Sequence, residues 1–434
     1  MQHSTLSLHC IPRNTKHKHM ASFFFLTSLL LAVISAVTPC PASERAALFS
    51  FKAALTEPYL GIFNTWTGTD CCGGAWYGIA CDPTTGHVTD VNLRGESQDP
   101  MFQKLGRSGY MTGKISPEIC TLSNLTSLVV ADWKAISGEI PACVTSLSSL
   151  RLLDLAGNRI SGEVPTDIGN MRSLSIVSLA DNVISGKIPA SIVKLRRLMH
   201  LDLSNNQLSG EIPNNFGKLG MLSRALLSGN QLTGSVPKSI SRMNRLADLD
   251  LSLNRLTGSI PAELGKMKVL STLKLDGNSM TGSVPSTLLR NTGMGILNLS
   301  RNGFSGTIPD VFCAGSYFMV LDLSFNNFSG RIPGSLSASK FMGHLDLSNN
   351  HLCGTIPIGS PFDQLDAASF SNNDCLCGNP LKACWWWTRS DPNKSWVVGE
   401  YKYIFQDIMI WLWWRRQKCD LNIYLMWWYL WCNI

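Results

Sequence analysis

Leu150-Arg-Leu-Leu153-Asp-Leu155-Ala-Gly-Asn158-Arg-Ile160-Ser-Gly162-Glu-Val164-Pro165 decides how the rest of the chain is read. Leu153 and Leu155 flank Asp154, the period-two pattern of a strand with one buried face. Asn158 opens a series, Asn182, Asn206, Asn230, Asn254, Asn278, Asn302, Asn326 and Asn350, spaced 24 residues apart without a slip. Gly-x-Ile/Val-Pro recurs on the same beat, ten times from Gly138 to Gly354. A fixed period of this length means stacked coils sharing one core, so function belongs on a repeated surface and not in one pocket.

Each coil is expected to give one short strand, and the stack a long parallel sheet. The Asn turns inward to pair with backbone groups of the bend and of the neighbouring coil, which must find partners once buried. Gly then allows a backbone that a side chain would hinder, and Pro fixes the return segment. Ile168, Ile192, Phe216 and Ile240 follow the Pro and plug the far side. Some units depart from the rule. Lys134 stands at an Asn position, Ala225 at a strand Leu, and Gly113-Lys-Ile115-Ser-Pro117 is a stretched proline motif. Irregular coils are expected where a stack begins.

At 434 residues the length alone would suggest several globular domains, but a repeat array does not follow that count. The net charge of +7 is spread without a basic run, which gives nucleic-acid binding no footing. Met20-Ala21-Ser22 opens an apolar stretch from Phe23 to Val37 that ends in small residues, the build of a secretory signal peptide. Met20 is then the expected start, and the histidines before it carry no metal role. Secretion lets cysteines pair. Cys40, Cys71, Cys72 and Cys81 precede the array and Cys353, Cys375, Cys377 and Cys384 follow it, as disulfide seals for the two open ends. Cys120 and Cys143, nearly one period apart, would staple adjacent coils. Zinc is the alternative for the caps, but the spacing lacks paired Cys-x-x-Cys motifs. Cys10, Cys313, Cys419 and Cys432 have no evident partner.

Leu-x-x-Leu-x-Leu-x-x-Asn-x-Leu/Ile-Ser/Thr-Gly-x-Ile/Val-Pro resembles the plant extracellular type of leucine-rich repeat. Trp66-Thr-Gly-Thr-Asp-Cys71-Cys72 and Trp76-Tyr-Gly-Ile-Ala-Cys81 resemble the N-terminal cap of that class, and the last four cysteines the C-terminal cap of polygalacturonase-inhibiting proteins. Asn92-Leu-Arg-Gly-Glu-Ser97, Gly109-Tyr-Met-Thr-Gly113, Ala131-Asp-Trp133-Lys, Met221-Leu-Ser-Arg-Ala-Leu-Leu and Phe370-Ser-Asn-Asn-Asp-Cys375-Leu-Cys-Gly resemble the DNA-damage-repair/toleration family more closely. The resemblance implies a leucine-rich-repeat solenoid of the α/β-type repeat class, a right-handed curved superhelix with a parallel concave sheet, a 3-10 or irregular convex side and disulfide caps. It also implies the pairs Cys40 with Cys71, Cys72 with Cys81, Cys353 with Cys375, and Cys377 with Cys384. The expected divisions are an extension and signal peptide (1–37), N-terminal cap (38–85), 10–11 repeats (86–352), C-terminal cap (353–384) and a Trp-rich tail (385–434).

Four residues before each Asn the outward column reads Asp154, Ser178, Asp202, Leu226, Asp250, Lys274, Asn298, Asp322 and Asp346. Asp322 and Asp346 lie on adjacent strands, stacked about 4.8 Å apart, near the roughly 5–5.5 Å carboxyl separation of retaining glycosidases. Yet the sheet itself sets that spacing, and no catalytic signature or phosphate loop occurs elsewhere. The column is instead the expected ligand-binding groove. Its partner would be a protein or peptide, such as a cell-wall-degrading enzyme or a receptor-like protein, with no cofactor and no nucleic acid. Two alternatives are polygalacturonase inhibition and a structural role in the wall without a discrete ligand. Asn124, Asn298 and Asn327 are sequon acceptors for glycosylation. Ten of the thirteen tryptophans lie in 385–434, where the repeat is gone. That tail reads as translated intron or a mispredicted exon, with an interfacial membrane anchor as the alternative.

Overall fold

The computed structural model describes residues 40–96 and 109–384. The signal-peptide and tail readings, with Cys10, Cys419 and Cys432, lie outside the described residues.

The chain enters through helix Ala42–Ala53, which buries Ala47, Leu48 and Phe51 against the start of the stack. The same helix buries Glu44, whose carboxylate is satisfied by His87 Nδ1 (2.7 Å) and the Val88 N–H (2.7 Å). Trp66 and Trp76 stack at 5.3 Å beside it, and their indole N–H groups donate to the Tyr77 and Thr67 carbonyls. Disulfides join Cys40 to Cys71, Cys72 to Cys81, Cys120 to Cys143, and Cys353 to Cys375. Cys377 and Cys384 are also disulfide-bonded. The sulfurs of Cys40, Cys71 and Cys72 converge, but all three are oxidised, which leaves no thiolate there for a metal.

One twelve-stranded sheet runs through this unit, from Ile79–Cys81 to Phe341–Asp346. Its first pair is antiparallel and the rest are parallel. From Leu152–Asp154 to Ile296–Asn298 each strand has three residues, because the repeat alternates only across its two leucines. Leu153, Val177, Leu201, Ala225, Leu249, Leu273, Leu297, Leu321 and Leu345 are all buried. After most of the repeat prolines the chain turns into a 3-10 segment such as Ala190–Lys194 or Lys238–Arg242, while Pro285 leads into the short α-helix Ser286–Leu289; proline's fixed φ suits a helix entry. Ile192 and Ile240 drop from these segments into the core.

The asparagine ladder explains why the beat cannot slip. Asn206 Nδ2 donates to Leu179 O of the previous coil (2.9 Å) and to Leu203 O and Ser204 O of its own. Its Oδ1 accepts the Ile184 N–H of the previous coil at 2.9 Å. The same set recurs at Asn230. Asn158 begins the ladder with an unpartnered Oδ1, and the coil before it carries Lys134 at the Asn position.

Three features depart from the sequence expectation. Many coils give a second strand, not one, because the residues after the Asn run extended and pair laterally, as in Ser209–Glu211 with Gln231–Thr233. The ladder also continues one step further, to Asn373, which donates to Leu347 O and accepts from the Leu352 N–H. It stands 23 residues after Asn350, so a strict 24-residue count passes it by. Finally, the residue before each Asn is left-handed. Glycine fills that place at 157, 229 and 277, while Asp181, Asn205, Leu253, Arg301, Phe325 and Asn349 hold it with φ between 52° and 57°.

Candidate binding face

The register places Asp154, Ser178, Asp202, Leu226, Asp250, Lys274, Asn298, Asp322 and Asp346 opposite one another in a single column on the solvent face of the main sheet. Leu152, Ile176, His200, Arg224, Asp248, Thr272, Ile296, Val320 and His344 form a second column two residues earlier. The face is therefore built from the residues between the leucines.

Much of the acidic column works inside the fold. Ser204 donates its N–H (3.0 Å) and hydroxyl (2.6 Å) to Asp202 Oδ1. Ser252 does so to Asp250, Ser324 to Asp322 and Ser300 to the Asn298 side-chain oxygen. Asp346 accepts the Ser348 N–H at 2.9 Å. Each carboxylate thus spends one oxygen on closing the strand-end turn, a local role that Asp and Asn commonly fill. That engagement gives Asp322 and Asp346 a structural task at the strand end.

Charge is then neutralised unevenly. Arg94 bridges Asp132 (2.9 Å) and Asp154, and Asp154 is only 8% exposed. Burial alone would lower the Arg94 pKa, but Asp154 and Asp132 hold it above its ordinary value. Burial raises the Asp132 carboxyl, with Arg94 opposing. Arg224 meets Asp248 at 3.2 Å, and Lys274 meets Asp250 at 3.5 Å. Asp276, Asp322 and Asp346 have no ion-pair partner among the described residues.

Asp276 stands in a third column otherwise made of Ala156, Ala180, Ser204, Ser228, Ser252, Ser300, Ser324 and Ser348. Its Oδ1 is shielded from solvent and unbonded. Burial raises its pKa, and Asp250 and Asp322 add to the rise. Sequence reasoning that followed only one column missed it, although an acid in a run of Ala and Ser was readable. It also missed Tyr317 and Phe341, one period apart, whose exposed rings stack at 4.9 Å. Arg94 could not have been found, because the first coil breaks the repeat.

The sequon residues Asn124 and Asn327 are exposed, whereas Asn298 is half-buried within the sheet face. Cys313 is an exposed thiol, held below its usual pKa by hydrogen bonds from the Gly315 backbone and then the Ser316 hydroxyl.

Residues 106–257 match the leucine-rich repeat region, 41–82 the leucine rich repeat N-terminal domain, and 295–314, 318–339 and 343–361 the Leucine Rich Repeat. The chain is 59% identical over 145 residues to DNA damage-repair/toleration protein DRT100 of Arabidopsis thaliana, covering 33% of this chain and 39% of that protein. It is 32% identical over 144 residues to a polygalacturonase inhibitor of Vitis vinifera, covering 31% and 38%. Each match spans under two-fifths of the relative's length. The Arabidopsis receptor kinase HAESA ectodomain, solved with an IDA peptide hormone ligand, is similar in structure with a TM-score of 0.59 at 30% identity. That likeness covers 77% of this chain and 56% of HAESA's. With its N-terminal cap, asparagine ladder and stacked parallel strands, the chain belongs to the plant leucine-rich-repeat proteins.

Proposed function

We propose that this is a secreted, non-catalytic protein of the plant cell wall or apoplast that docks a protein or peptide partner on the solvent face of its main sheet. One observation carries the reading: the columns around Thr272, Ile296 and Val320 put many unlike, half-exposed side chains on one rigid, in-register surface. Such a surface varies without disturbing the leucines beneath it. The peptide-bound HAESA ectodomain and the polygalacturonase inhibitor relative support a binding role. Among the described residues no helix is long and apolar enough to cross a membrane.

Thr272 and Ile296 make the cleaner test, because the aspartates also close turns. Thr272→Arg with Ile296→Arg should abolish capture of partners from apoplastic extract while leaving the melting temperature within about 2 °C, as surface changes usually do. Unchanged capture would count against the face. Polygalacturonase inhibition is the second reading, favoured by the Vitis vinifera relative. A fungal polygalacturonase assayed with and without the purified protein decides it.

A further inference from the structure

We propose that the last third of the sheet face is a two-part site for an extended peptide carrying an apolar anchor and a basic side chain. This rests on the docking reading above and names the chemistry of its partner.

The strands Tyr317–Asp322 and Phe341–Asp346 have six residues where most have three. Along the first, Phe318 and Leu321 point into the core and leave Tyr317, Met319 and Asp322 toward solvent. Tyr317 and Phe341 are 41% and 46% exposed and Met319 is 47% exposed, so an apolar platform lies at one end of the two strands. The platform continues over Gly343, where an added Cβ would lie 3.1 Å from the Phe341 ring. At the other end of the same strands stand Asp322 and Asp346, with Asp276 two strands away. None of the three has a Lys or Arg within ion-pair distance among the described residues, as is also true of Asp202 earlier in the column, whereas Asp154, Asp248 and Asp250 are each paired.

Surplus negative charge beside a shielded, unbonded carboxyl oxygen fits a cation supplied from outside. Exposed stacked rings fit an aromatic or aliphatic side chain. Five residues of strand separate the two ends, roughly 16 Å at about 3.3 Å per residue. Side chains alternate faces in a fully extended strand, so a ligand that presents both to the sheet needs a flexible middle, with its apolar and basic side chains five positions apart. Asp276 then makes the geometry specific for a cation, since the equivalent place in neighbouring coils is Ser252 or Ser300.

The test uses the full-length purified protein and a labelled hexapeptide, Trp-Gly-Ser-Gly-Ser-Arg, followed by fluorescence anisotropy at low and high salt. Replacing its Arg by Glu, or its Trp by Gly, should each weaken binding about tenfold or more. Asp322→Asn with Asp346→Asn should erase the preference for Arg over Glu. Asn298 already shows that Asn keeps the serine bonds at this column, so folding is preserved. Tyr317→Ser with Phe341→Ser should erase the preference for Trp over Gly. Absence of hexapeptide binding, or preferences that survive these substitutions, would overturn the inference. If the hexapeptide fails while Thr272→Arg with Ile296→Arg still abolishes capture, the two-part site falls and the docking face stands. Hexapeptide binding with capture untouched by that pair gives the reverse.

Discussion

Each ladder asparagine holds two coils, so its loss is felt in both. Asn230→Leu removes the acceptor of the Leu208 N–H and the donor to Leu203 O, all in a dry interior. It should cost about 2–3 kcal/mol, since buried backbone groups lose their partners. Asn158→Leu should cost less, because the Asn158 Oδ1 is already unbonded. Thermal unfolding of the two variants gives the comparison. The ladder was legible in the sequence from a count of nine asparagines. The left-handed residue ahead of each was not, because five residue types other than glycine share that place across the coils. Leu253, with φ +52° and 59% exposed, gains little by packing and strains its backbone. Leu253→Asn should therefore stabilise by about 0.5 kcal/mol, as Asn tolerates this region better. Asp276 makes a third case. Its pKa is raised by burial above the ordinary 3.8, so its ionisation opposes folding. The favourable contribution of the protonated form is full below about 3.8 and is lost as pH rises through the folded value. Asp276→Ser should raise the melting temperature at pH 7, and the gain should vanish near pH 3.

At the scale of elements, the stack is sealed by covalent and buried polar links more than by any one strand. Cys120–Cys143 closes a separation of 23 residues between the first coils, which are also the irregular ones. Cys120→Ser with Cys143→Ser should cost about 3 kcal/mol by the chain-entropy argument. Differential scanning calorimetry without reductant measures it. The main strands and the proline-led turns were legible, since Leu-x-Leu alternation and Pro each fix a local geometry. The lateral strands were not. Their pairing follows from stacking, which brings residues after the Asn within reach of the next coil, and no local pattern announces it. Part of the candidate site followed the same division. The Asp column came from periodicity, while Arg94, the Arg224–Asp248 pair of the second column and the platform Tyr317–Phe341 depend on departures from the period.

At the scale of the whole molecule, a net charge of +7 coexists with a sheet face whose unneutralised groups are acidic. A DRT100-like sequence does not give that face a grip on phosphates. Duplex DNA should show no binding with a steep salt dependence at 50 to 200 mM salt, as about six or more phosphate contacts would produce. What remains is partner docking on a rigid repeated surface, and the most direct measurement is capture from apoplastic extract by immobilised wild-type protein beside the Thr272→Arg with Ile296→Arg variant. Partners retained by the wild type and lost by an equally stable variant are the result this account predicts. The same partners retained by both would contradict it.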